Sequence, residues 1–337
     1  MSCIVRNRPG MLRYGAAHYI TDQMHTLGYC EQQIANDCER SGITAEEFAQ
    51  SKIALSFLDE GFGPAEIAPL TNILSQTHPG KFMVLFNAHV AVDTLTYHAR
   101  CCTTWLINRS EYHLDQFNYN FDLQLDRKFL CLLRRPTPNR ARLARFFLDN
   151  IGLDAVRLSF GSGAQDGLDQ YRDVVGCDLP LLVDGVLTDR MREFDVSNIL
   201  FHSCLFNIAA ETSSQSEANW RSVFLTEKTW KAIMQRQIPI WYGVPGLVEH
   251  VRSLGFDTFD DILDHHYDAI PDETKRHQSV FDQISQLNDR YSLTDCQALQ
   301  QQLRSRLETN FEQLLEYFRT NRRQIGNAIL EFDSYST

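Results

Sequence analysis

Thr226-Glu227-Lys228 is the stretch whose residue types and spacing could do chemistry. It follows a short apolar run, Val223 to Leu225, and leads into Trp230, Ile233 and Met234 at i, i+3 and i+4 spacing. That pattern predicts a helix with Thr226 as its N-cap. The first turn of a helix presents unpaired backbone N–H groups and the positive end of the helix dipole, so it favours an anion. Lys228 adds a full charge at that spot, and the Glu227 carboxylate beside it can accept from ribose hydroxyls. Together they fit a nucleoside diphosphate. The same three residues also fit an ordinary capped helix carrying a solvated ion pair.

A second cationic group lies upstream. Five arginines, Arg134, Arg135, Arg140, Arg142 and Arg145, cluster around a Pro-rich turn between a predicted strand, Lys128 to Leu133, and a predicted helix carrying Leu143, Phe146 and Phe147. Like charges at a strand-to-helix turn form an anion site or a basic rim. Acid–base candidates come from the first half of the chain. Asp59 and Glu60 follow the apolar run Ile53 to Leu58, and His89 and Asp93 follow the run Lys81 to Asn87. Titratable groups at the carboxyl ends of parallel strands are where α/β clefts place chemistry, although solvated turn residues look the same in sequence. Tyr112, His113, Tyr119 and Asn120 could stack on a sugar ring or pack a loop.

The elements that must position these groups read as α/β. The Thr226 helix is followed by Ile238-Pro239-Ile240-Trp241-Tyr242, a buried strand closed by the turn Gly243-Val244-Pro245-Gly246. A further helix then carries Val248, Val251 and Leu254 on one face. Helix, buried parallel strand, turn and helix make half of a doubly wound unit. Cys204 to Ala209 reads as another strand, ending at Ala210-Glu211-Thr212, and a polar loop, 213–221, leads back to the Thr226 helix. Turn residues gather between Gly161 and Gly176. The expected domains are therefore 1–170, holding Arg140, and 171–337, holding Lys228 and closing in amphipathic helices over Val280–Leu287 and Cys296–Phe318.

Phe224, Thr226, Glu227, Lys228, Pro239, Tyr242 and Gly243 together resemble the signature of the α1,3-fucosyltransferase family, an aromatic-x-Thr-Glu-Lys segment followed by a Pro-x-Tyr-x-Gly strand. The stretch from Phe224 through Leu247 to Phe259 is also similar to phage glycosyltransferase-like proteins. The resemblance covers residues 198–268, with a second patch at 128–150, and implies two facing Rossmann-like domains of the GT-B type with C-terminal helices. It implies a nucleotide-sugar donor, such as a GDP- or UDP-sugar, with the sugar moved to an acceptor hydroxyl with inversion. By that likeness Lys228 and Arg140 contact the diphosphate, Glu227 the ribose and Phe224 the base, with Glu211, Thr226 and Tyr242 completing the donor site. The general base would be one of Asp59, Glu60, His89 and Asp93. No metal is required, because cations of the chain carry the phosphate charge. Two departures stand out: fucosyltransferases have Tyr where this chain has Phe224, and the paired-acid motif of some bacterial members is absent. The acceptor implied is a glycan or, by the phage likeness, a hydroxylated pyrimidine in DNA. A nucleotide- or carbohydrate-binding protein without catalysis is the remaining alternative.

Composition bounds these readings. The 337 residues are 43% hydrophobic and 22% charged, enough for two ordinary cores and unlike a disordered chain. A net charge of -11 opposes non-specific binding to polyanions unless a local basic patch overrides it. Nine scattered cysteines with no CxxC spacing fit free thiols in a reducing compartment rather than a disulfide framework or a zinc site. No run approaches the length of a membrane span and Met1 to Gly15 has no signal-peptide core, so a cytoplasmic protein is expected.

Overall fold

The computed structural model describes residues 3–8, 11–15, 44, 46, 52–61, 82–87, 99–101, 119–161, 167–181, 198–211, 223 and 225–334; for the strands before residue 119 it describes the backbone. The chain divides into two units, Met1–Tyr112 with Ala218–Phe224 and Tyr317–Thr337, and His113–Glu217 with Leu225–Glu316.

The first unit holds a five-stranded sheet of β1 (Cys3–Arg8), β2 (Met11–Gly15), β3 (Lys52–Gly61), β4 (Phe82–Asn87) and β5 (Ala99–Cys101), in that spatial order. The β1–β2 pair is antiparallel and the other pairs are parallel. Sequence reading finds β3 and β4 but not the β1–β2 pair, where Arg6, Asn7, Arg8 and Arg13 break any apolar run. β3 extends past Leu58, so Asp59 and Glu60 lie inside the strand. They fall in the register irregularity between Phe57 and Gly61, where Gly61 pairs with Asn87. The helices expected over 19–29 and 31–40 and the strand expected over 104–107 lie outside the described residues, as do His89 and Asp93.

The second unit is built on β6 (Arg127–Leu133), β7 (Val156–Phe160), β8 (Cys204–Ala210) and β9 (Ile238–Tyr242), all parallel, in the order β7-β6-β8-β9. β8 (CLFNIAA) and β9 (IPIWY) are buried along their whole length, as near-continuous apolar strands covered on both faces must be. β7 stands at the edge and alternates between buried and half-buried positions. The core is aromatic at its centre: Phe129 of β6 stacks on Phe206 of β8 at 5.5 Å and lies 6.1 Å from Phe147. Each such side chain contributes roughly 1.5–3 kcal/mol by leaving water.

Helix α1 (Pro138–Phe146) connects β6 to β7, and the short helices α2 (Arg172–Val175) and α3 (Asn198–His202) precede β8. Helix α4 (Glu227–Met234) connects β8 to β9. The step from β6 to β7 goes one way along the sheet and the step from β8 to β9 goes the other. Right-handed crossovers of opposite sense put α1 and α4 on opposite faces, and the strand order reverses between β6 and β8. The domain boundary expected at 170 therefore falls within one sheet: β6 and β7 precede it, and β8 and β9 follow.

After β9 come α5 (Leu247–Ser253), α6 (Glu273–Arg290), α7 (Leu293–Gln302) and the long α8 (Arg304–Ser334). The helix expected over Cys296–Phe318 is broken at Leu303, yet Leu303, Leu307, Phe311 and Leu314 are all buried, as their spacing requires. The Leu254–Phe259 segment is an anchor for α8. Asn310 bonds the Asp257 backbone in both directions, and Arg306 reaches the Asp257 and Asp261 carboxylates while lying over the Phe259 ring. Among the described residues no helix is long and apolar enough to cross a membrane.

Candidate functional site

In an open parallel sheet, the crevice outside the carboxyl ends of the strands at the point of reversal is where ligands sit. Here that point lies between β6 and β8; α1 begins shortly after β6, and the start of α4, further along the chain from β8, is bonded back to Glu211, the residue directly after β8. Each helix start is capped by a threonine. The Thr137 hydroxyl accepts from the Arg140 N–H, and the Thr226 hydroxyl accepts from the Lys228 N–H.

Arg140 spans the reversal point. Its side chain is buried, and it donates to the Ala210 carbonyl at the end of β8 (2.7 Å) and to the Arg135 carbonyl in the loop after β6 (3.1 Å). These bonds join the two halves of the crevice floor, so Arg140 holds backbone in the position where contact with a phosphate is expected. Arg134, Arg135 and Arg142 around it are exposed.

Glu211 follows β8 and continues its ladder by donating its N–H to the Tyr242 carbonyl at 2.9 Å. Its carboxylate is 2% exposed and faces α4. One oxygen accepts from the Thr226 N–H (3.2 Å) and the Thr229 hydroxyl (2.7 Å), and the other accepts from the Thr226 hydroxyl. A buried carboxylate is tolerated only with such partners, and three donors from one helix turn supply them. Gly243 makes room for this brace: a Cβ there would lie 2.9 Å from a Leu247 methyl and 3.4 Å from the Glu211 Cβ.

Lys228 is half-buried at the second helical position of α4, and its ammonium donates to the Thr226 hydroxyl at 3.0 Å. A cation in the first turn opposes the helix dipole, so Lys228 is not placed there by helix stability. Glu227 opens the same turn.

Tyr242 closes the crevice on the β9 side from within. It is buried, donates to the Asn139 carbonyl at 3.1 Å and stacks on His277 at 4.0 Å. Burial pushes its phenol above the ordinary tyrosine range. Asn139 in turn donates to Glu273 at 2.6 Å and accepts from Arg142. His277 is held down to about 3, first by burial and then by the charges of Arg276 and Arg142, so its ring stays neutral.

Five of the expected donor-site residues, Arg140, Glu211, Thr226, Lys228 and Tyr242, thus gather at one end of one sheet, although 102 sequence positions separate Arg140 from Tyr242. Arg140 and Lys228, expected to approach from different domains, belong to the same unit. Phe224, His89 and Asp93 lie outside the described residues, and Asp59 and Glu60 belong to the other unit. Tyr119, a candidate sugar platform, packs against His202 and Phe121 and accepts from Gln300 at 2.7 Å. Sequence reasoning missed Thr229, Asn139, Glu273 and His277. Thr229, three residues after the cap, carries a local signal; the Asn139–Glu273 bond and the Tyr242–His277 stack join residues too far apart in sequence to leave a local pattern.

An open groove of about 730 Å³ lies elsewhere, among Gly246, Glu249, Asp260, Asp264, His266 and Asp268. Its acidic lining does not suit an anion, and no group of three His, Cys, Asp or Glu among the described residues is placed to hold a metal.

Comparison with known proteins returns no matching family model, no similar curated protein and no similar solved structure.

Proposed function

We propose that this chain is a glycosyltransferase taking its sugar from a nucleotide-diphosphate donor, with two Rossmann-like domains of the GT-B type. The observation that carries the reading is the convergence of two capped helix starts on the reversal point between β6 and β8, with Lys228 placed against its dipole at one of them. The backbone N–H groups of that first turn and the Lys228 ammonium stabilise the charge that grows on the departing diphosphate. In an inverting displacement the acceptor oxygen forms its bond to the anomeric carbon as the bond to the diphosphate breaks, and the acceptor proton passes to a base within about 3 Å. Asp59, Glu60, His89 and Asp93 are the proposed base candidates. Glu227 contacts the ribose and Phe224 the base in this reading. Lys228 supplies the charge that a metal supplies in other transferases.

Arg134, Arg135 and Arg142, exposed at the same end of the sheet, favour a second reading in which the acceptor is a hydroxylated pyrimidine in DNA. The test is thermal stabilisation by GDP- and UDP-sugars, since a ligand bound to the native state alone raises the melting temperature. One donor class is expected to stabilise the wild-type chain, and Lys228→Ala is expected to lose that shift while remaining folded. An equal shift in the variant removes Lys228 from the site. Donor hydrolysis without acceptor separates an enzyme from a binding protein, and salt-sensitive retention on duplex DNA separates the two acceptors.

A further inference from the structure

Outside the crevice, Asp264, His266 and Ser279 form a chain of polar contacts that the proposed sugar transfer does not use. The Ser279 hydroxyl lies 2.7 Å from Nε2 of His266, and Nδ1 of the same ring lies 2.9 Å from the Asp264 carboxylate. A carboxylate only accepts, so Nδ1 carries the ring proton, and Nε2 of the neutral ring offers its lone pair to the Ser279 O–H. The other Asp264 oxygen accepts the His266 backbone N–H at 3.0 Å, so one carboxylate fixes both the backbone and the ring of that residue. Gln283 donates to the Asp264 carbonyl at 2.9 Å, and Ser279 and Gln283, one turn apart on α6, hold the segment between them. Neighbouring His265 is bonded to the Thr258 carbonyl and buried, whereas the His266 side chain is 61% exposed. A hydroxyl on one ring nitrogen and a carboxylate on the other is the arrangement by which a base activates a serine.

We propose that Ser279 is the nucleophile, His266 its general base and Asp264 the positioning residue of a second site, which hydrolyses carboxylic esters carrying a positive charge. His266 and Asp264 line the open groove of about 730 Å³, with Glu249, Asp260, Asp261 and Asp268 set against a single guanidinium, Arg252. That excess of negative charge attracts a cationic substrate and repels an anionic one. Ser279 is 8% exposed, so its oxygen is screened from bulk water. In the first step that oxygen bonds to the ester carbonyl carbon while its proton passes to Nε2. The bond from that carbon to the alcohol oxygen then breaks, and Nε2 gives the proton to the departing alcohol. Water attacks the acyl-serine and loses a proton to Nε2. The carboxylic acid leaves as the serine oxygen takes that proton back. Water is the co-reactant, and no electrons are exchanged. The site stands apart from the diphosphate reading and does not depend on it.

The test follows acid release from acetylcholine and from ethyl acetate by the full chain, together with labelling by phenylmethanesulfonyl fluoride, which an activated serine attacks with loss of fluoride. Wild type is expected to turn over acetylcholine repeatedly, with kcat/KM at least about tenfold that for ethyl acetate at low ionic strength. Peptide mass spectrometry is expected to place the label on Ser279, and Ser279→Ala to lose both label and turnover. His266→Ala, whose side chain is mostly exposed and dispensable for folding, is expected to slow labelling about a hundredfold, with part of the rate restored by added imidazole. Asp264→Asn keeps an oxygen for the His266 N–H and slows labelling about tenfold, yet changes nothing in a His266→Ala background, because the ring it orients is gone. A further loss in that background overturns the role of Asp264. Absence of label on Ser279, or equal labelling of wild type and His266→Ala, overturns the site. Label without turnover of either ester overturns the hydrolysis, and equal kcat/KM for the two esters overturns the cationic substrate. Should Ser279→Ala fail to fold, the position of the label in the wild type and the imidazole rescue decide the matter.

Discussion

The two ends of the four-stranded sheet each bury an arginine and a histidine, and they use them differently. At the amino-terminal end Arg236, left-handed at φ 49°, pairs with Glu308 at 3.3 Å, donates to the Met234 carbonyl and lies 3.5 Å over the ring of Phe311. Both Glu308 and Phe311 belong to α8, so this arginine ties the turn before β9 to the long terminal helix. Burial and the Arg236 charge hold the neighbouring His202 below the usual range, burial being the larger cause. At the carboxyl-terminal end Arg140 bonds two backbone carbonyls across the strand reversal, and the nearby Lys228 sits against the dipole of its own helix. One end puts a carboxylate and an aromatic face against its cation and serves stability. The other spends its carboxylate, Glu211, on threonines and holds its lysine at a helix start, where an anion is favoured.

The largest expected effect breaks the stabilising end. Arg236→Ala removes a largely buried pair and a cation–π contact, and a loss of about 2–4 kcal/mol is expected in denaturant unfolding, with ligand affinity unchanged. A loss below about 0.5 kcal/mol would put Arg236 with the exposed pairs and erase the contrast. The next effect concerns acid. His277 holds its folded value near 3 against an ordinary 6.5, so the unfolded chain binds the proton first as pH falls. Stability from this group is intact above 6.5 and is lost as pH falls from there towards 3, by about 2 kcal/mol at pH 5. His277→Phe, which keeps the stacking on Tyr242, is expected to flatten that part of the pH profile; parallel profiles for the two proteins would exclude it. The smallest effect on stability, and the largest on binding, belongs to Lys228→Ala. Without ligand it is expected to shift unfolding by less than about 1 kcal/mol, because its bond to Thr226 is only part-buried and the removed charge opposed the dipole.

Some of this was legible in the chain because it is local. A threonine before an i, i+3, i+4 apolar pattern fixes where α4 starts, and the apolar runs at β6, β8 and β9 locate strands covered on both faces. The short β1–β2 pair was not legible, since strands of such mixed composition gain their stability only by pairing with β3. Nor was the domain division, because a polar, turn-rich stretch such as 161–176 looks the same between two domains as between two strands of one sheet.

What the sequence determined by itself was the chemistry available at one helix start: a cap, a carboxylate and an ammonium within three positions, in an α/β chain. Only the tertiary structure decided which groups meet there. Strand order placed β6 beside β8, which brought Arg140 to the Ala210 carbonyl and turned Glu211 inward to Thr226 and Thr229. The physical reason is that a hydrogen bond is read off positions in space. Two residues 15 apart in sequence, or 70, share no local pattern that announces the bond.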